Sequence, residues 1–163
     1  MDGGRLLGIY LDDHLAVLAG GEELVKRALA ETKDDAIRRF FEGLLSDLRD
    51  DRDATARVLA GLDRRPNAVK QRLAWLGEKV GRLKLNGNAT GYSPLSRLIE
   101  LEALAAVLGA SLALWRALAL AGPPVSRNDA AQRAERADRQ LAELERLRLE
   151  AVEVVFAGGE RRL

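Results

Sequence analysis

The chain has 163 residues, of which 47% are hydrophobic and 31% charged, with 26 Lys and Arg against 25 Asp and Glu and no cysteine. Near-neutral charge excludes a field that would draw nucleic acid or an anionic membrane, and the missing thiols exclude a disulfide, a thiolate metal site and a cysteine nucleophile. Aromatics are only 4% and prolines number four, so this Leu-, Ala-, Arg- and Glu-rich chain favours helices over strands and is long enough for one domain with its own core.

The opening "MDGGRLLGIYLDDH" does not read as a secretory leader, because an acidic residue precedes a short apolar run that Asp12 and Asp13 interrupt. The first helical segment is expected from about Arg5 to Glu31. Leu7, Leu11, His14, Val17 or Leu18, Gly21, Leu24 or Val25 and Ala28 recur at 3–4 spacing and define one face. Gly20-Gly21 inside that pattern costs about 1 kcal/mol per glycine, which predicts the close approach of a neighbouring backbone.

"TKDDA" offers Thr32 or Asp34 as an N-cap for a second helix that runs to about Leu62, with Ile37, Phe41, Leu44, Leu48, Asp51, Thr55 and Val58 on its inner face. Within it, "DLRDDRDATAR" is dense in charge but lacks the glycine and final Glu of a calcium loop, so it reads as a solvated helix face with i,i+4 pairs. Pro66 ends the segment. A shorter helix is predicted over about 68–84. It is amphipathic and basic, with Lys70, Arg72, Lys79, Arg82 and Lys84 opposite Leu73, Leu76, Val80 and Leu83, and with Trp75 at its edge.

"LNGNATGYSP" is a loop, and Ser93-Pro94 opens the fourth helix as an N-cap followed by proline at the first helical position. Its stretch "ALAAVLGASLALWRALALAG" is interrupted by Arg116 and falls short of the ~20 uninterrupted apolar residues of a membrane span, so it reads as a helix buried on most of its surface. After "GPPVS", Ser126 with Asp129 resembles a capping box for a fifth helix to about Phe156. Residues 157–163 are expected as a frayed tail, and about 5–156 as the ordered part of one domain spanning 1–163.

Four segments of equal length, about 40 Å each, predict an all-α four-helix bundle of two hairpins with a short helix in the connection. Reflection about the first turn sets His14 opposite Asp51 or Thr55, as a core histidine with a hydrogen-bonding partner. Reflection about the second turn sets Glu102 opposite Glu145, with Arg148 one turn on as a shared counterion. If the connection caps the bundle's end, all four polar residues fall at one height. If it crosses the bundle, the two pairs lie about 10–12 Å apart.

The layout of two helical hairpins joined by a long connection resembles the ferritin-like superfamily over roughly residues 5–156. Members with a di-iron site use a Glu from each of two helices and a Glu-x-x-His from each of the others. No Glu-x-x-His occurs here, and in Glu143-Leu-Glu-Arg146 and Glu145-Arg-Leu-Arg148 an arginine stands where the histidine would be. The resemblance therefore implies the fold without the di-iron site. "WLGEKVGRLKLNG" followed by "YSPLSRLIELE" is also similar to a stretch of uncharacterised actinobacterial helical proteins, and that likeness implies no activity.

The leading expectation is a cytoplasmic, non-enzymatic bundle with no cofactor, acting through self-association or a protein partner, with Trp75, Lys79, Arg82 and Tyr92 as contact residues. Two alternatives stand beside it. One is an iron or manganese site built from His14, Asp51, Glu102 and Glu145. The other is membrane-surface binding through the basic helix 68–84.

Overall fold

The computed structural model describes residues 3–62, 93–122 and 125–157. These form four helices and, among the described residues, no strand: α1 (Gly3–Glu31), α2 (Asp35–Ala60), α3 (Pro94–Ala121) and α4 (Arg127–Phe156). The expected helix over 68–84, with Trp75, Lys79, Arg82 and Tyr92, lies outside the described residues, as does the tail beyond residue 157.

The helix starts follow local chemistry. Asp34 caps α2 by accepting from the backbone N–H groups of Ala36 and Ile37 at 2.8 and 3.0 Å. Thr32, the other candidate cap, is buried instead and donates its hydroxyl to the Ala28 carbonyl. Ser93 caps α3 with Pro94 at the first turn, and Ser126 caps α4 through the Asp129 N–H at 3.0 Å. Gly122 ends α3 at φ 80°, a left-handed conformation that favours glycine.

Contacts between helices fix their directions. Arg97, at the start of α3, donates to the Ala28 carbonyl and the Thr32 hydroxyl at the end of α1, and Arg27 pairs with Glu100 at 2.6 Å. A Cβ on Gly21 would meet Val107. As the α1 number falls the α3 number rises, so α3 runs antiparallel to α1. Arg97 also lies over the Phe41 ring and Ser111 donates to Asp51, which makes α3 parallel to α2. Gln140 bonds Asp47 while Arg133 bonds Asp50, so α4 is antiparallel to α2.

Since α2 and α3 are parallel, Leu62 and Ser93 lie at opposite ends of a bundle about 40 Å long. The core between the helices is built from Leu11, Leu18, Phe41, Leu44, Leu104, Leu108, Trp115 and Leu144, among others. The approach at the glycine pair is made by side chains and not, as expected, by a backbone: an added Cβ on Gly21 would sit 2.6 Å from Val107 Cγ1 and 3.4 Å from Leu48 Cδ1.

Candidate functional site

The most concentrated polar chemistry lies between α2 and α4, around Asp51, which is 4% exposed. Asp51 Oδ1 accepts from Arg133 Nη1 at 2.7 Å and Arg136 Nη2 at 2.5 Å, and Oδ2 accepts from Ser111 Oγ at 3.1 Å. One carboxylate thus joins α2, α3 and α4. Arg133 also bonds Asp50 at 2.7 Å, Arg136 pairs with Asp47 at 3.2 Å, and Gln140 donates to Asp47 at 2.6 Å. The Arg133 hydrogen bond holds the Asp50 carboxyl below its ordinary pKa, against the opposing effect of partial burial. Arg133 stacks on the face of Trp115 at 4.8 Å from the ring centroid.

Beside this belt an open cleft of about 230 Å³ is lined by Ala54, Val58, Trp115, Ser126, Asp129 and Arg133. Trp115 is fully buried and its Nε1 has no hydrogen-bond partner. Of the groups that line it, the Ser126 oxygen accepts the Asp129 N–H at the α4 cap, and the Arg133 cation is paired with Asp50 and Asp51. The arrangement ties α4 to α2, and through Ser111 to α3, by charge-assisted hydrogen bonds to one carboxylate.

His14 does not reach Asp51. Its ring packs edge-on against Tyr10, with centroids 4.4 Å apart, and its Nδ1 is buried without a hydrogen-bond partner. Thr55 is also engaged elsewhere, donating to the Asp51 backbone carbonyl at 2.7 Å. The expected His14–Asp51 or His14–Thr55 pair is therefore corrected: the arginines of α4 and Ser111 of α3 take the carboxylate. The reading of "DLRDDRDATAR" as a solvated face is corrected as well, since Asp47, Asp50 and Asp51 bind α4 and Arg52 reaches buried Glu22 on α1 at 2.7 Å.

Glu102 and Glu145 do share Arg148, which makes two bonds to Glu145 at 2.7 and 2.8 Å and a looser approach to Glu102 at 3.7 Å. They lie far from the Asp51 belt: Asp51 is level with Ser111, about 14 Å along α3 from Glu102. Among the described residues no group of three or more His, Asp or Glu side chains is placed to hold a metal. His14, Asp51, Glu102 and Glu145 remain in separate environments. Sequence reasoning missed the buried Glu22, Arg97 and Glu100; Arg97 and Glu100 interleave with Leu98, Leu101 and Leu104, and that position within an apolar stripe was the available signal.

Burial lowers the His14 pKa from 6.5. Because the folded pKa is depressed, the unfolded chain binds the proton more readily, so His14 contributes stability above pH 6.5 that is lost as pH falls through the folded value. Thermal melts of wild type and His14→Gln should converge in pH dependence above 6.5 and diverge below it, with the variant losing less. Parallel curves across that window would show that His14 does not contribute.

Comparison of the chain with protein-family models, with curated proteins and with solved structures finds no match. The fold and its surface chemistry therefore carry the functional argument.

Proposed function

We propose that this chain is a cytoplasmic, non-enzymatic bundle of ferritin-like build that works through self-association or a protein partner. The build is supported by two antiparallel hairpins whose inner helices α2 and α3 run parallel, which a long connection must join. Metal chemistry is not part of the reading, because arginines occupy the space around Asp51 and Glu145 where a cation would sit.

The observation that carries the reading is the outer face of α3. The helix is apolar along most of its length, yet part of it stays outside the core. By length and composition α3 could cross a membrane, but its inner face carries buried Arg97 and Glu100, both engaged with α1, together with Leu101, Leu104, Leu108 and Trp115 of the core. On its outward side Ala106 and Ala113 are exposed and Leu120 is 83% exposed, and association would cover them.

Sedimentation velocity over a wide concentration series tests this directly. The expected result is a reversible species larger than the monomer that grows with concentration. A chain that stays monomeric throughout would remove self-association.

A further inference from the structure

The outward positions of α3 form a regular seam. Glu102, Ala106, Gly109, Ala113, Arg116 and Leu120 alternate at spacings of four and three, the repeat by which one helix packs along another. Ala106 and Ala113 are exposed, Leu120 is 83% exposed, and a Cβ on Gly109 would meet nothing within 4 Å. A mid-helix glycine costs about 1 kcal/mol relative to alanine, and no contact among the described residues accounts for it here. Gly43 of α2 is equally open, but its neighbours on that face, Arg39, Glu42 and Ser46, are polar.

The charges on the seam are self-complementary. Glu102 and Arg116 lie seven residues to either side of Gly109, with opposite sign. Each is held only loosely inside the monomer, Glu102 by Arg148 at 3.7 Å and Arg116 by Asp138 at 3.8 Å. Two copies of α3 packed antiparallel about a two-fold axis at Gly109 bring each Glu102 against the partner's Arg116. The alanines and glycine between them permit the short interaxial distance of about 8 Å at which those side chains meet. A parallel pairing would instead set like charges together at both ends.

We infer that a second copy of this chain docks on the outer face of α3, forming a two-fold antiparallel helix pair centred on Gly109 and closed by two Glu102–Arg116 ion pairs. This rests on the self-association reading and adds its surface and geometry. The seam from Glu102 to Leu120 is about 27 Å long, a small interface of the kind that forms a reversible dimer.

Sedimentation equilibrium of the full chain tests it, with circular dichroism as the folding control. Ala113→Arg, at an exposed position, should leave the melt unchanged and weaken the dimer at least about tenfold. Glu102→Arg alone and Arg116→Glu alone should each weaken it, and the double variant Glu102→Arg/Arg116→Glu should restore it. A dimer indifferent to Ala113→Arg would overturn the α3 seam while leaving self-association in place. Single variants that weaken the dimer with no rescue in the double variant would overturn the antiparallel geometry. A monomeric wild type would overturn self-association itself.

Discussion

Asp51→Ala should destabilise the fold by about 3 kcal/mol, the low end of the cost of breaking a buried ion pair by removing one partner. Three donors lose their acceptor at once: Arg133, Arg136 and Ser111. The low end applies because the two arginine side chains are 19% and 25% exposed, so water and the neighbouring Asp47 and Asp50 recover part of the loss. Ser111→Ala removes one neutral donor and should cost about 1 kcal/mol. For a chain of this size 3 kcal/mol corresponds to a drop in Tm of roughly 6–12 °C. Asp51→Ala within about 0.5 kcal/mol of wild type, in the range of an ordinary surface substitution, would mean that the belt does not hold α4 to α2.

Gly21→Val is the second large effect, with an expected loss of about 3 kcal/mol from overpacking. A Cβ at this position already lies 2.6 Å from Val107 Cγ1, and a β-branched neighbour cannot swing aside as a long flexible chain would. Gly21→Ala should cost less, about 1 kcal/mol, because the clash outweighs a helix-propensity gain of similar size. Gly43→Ala, in open space, should have the opposite sign and stabilise by up to about 1 kcal/mol. Combining Gly21→Ala with Val107→Ala should cost less than the sum of the two, since the second change makes room for the first. Strict additivity in urea titrations would show that the two residues do not meet.

The features of this fold that are legible in the sequence are local ones. Ser93-Pro94 and Ser126 mark helix starts because a side-chain oxygen near the first turn satisfies backbone donors whatever the rest of the chain does. The apolar stripes mark the buried faces, and Gly21 marks a close approach, because each follows from helical periodicity. Reflection about a turn also works within one hairpin, where it brings Glu102 and Glu145 to the same arginine.

Reflection fails for Asp51, and the reason is topological. It compares only helices joined by a short turn, so it pairs α2 with α1 and nominates His14. The groups that bind Asp51 come from Ser111, Arg133 and Arg136, beyond a connection whose path decides which helices become neighbours. His14 sits on the stripe by spacing, but only half-buried at its edge, where Tyr10 one turn earlier covers it. Spacing puts Arg97 and Glu100 within the apolar stripe, but the partners that let them be buried there, Thr32 and Arg27, arrive from α1 and are not given by spacing.

The α3 face is different again: its heptad seam is written in the sequence, but it becomes visible only once the inner face has been assigned to the core. The absence of cysteine makes the most direct test straightforward, because each introduced thiol is the only one in its chain. Single-cysteine variants Gly109→Cys, Glu102→Cys and Arg116→Cys should be oxidised separately and as a Glu102→Cys plus Arg116→Cys mixture, and the covalent dimers measured. An antiparallel pair centred on Gly109 predicts efficient self-crosslinking at position 109, little at 102 or 116 alone, and crosslinking between 102 and 116 in the mixture. Self-crosslinking at 102 and 116 alone, or none at 109, would contradict it.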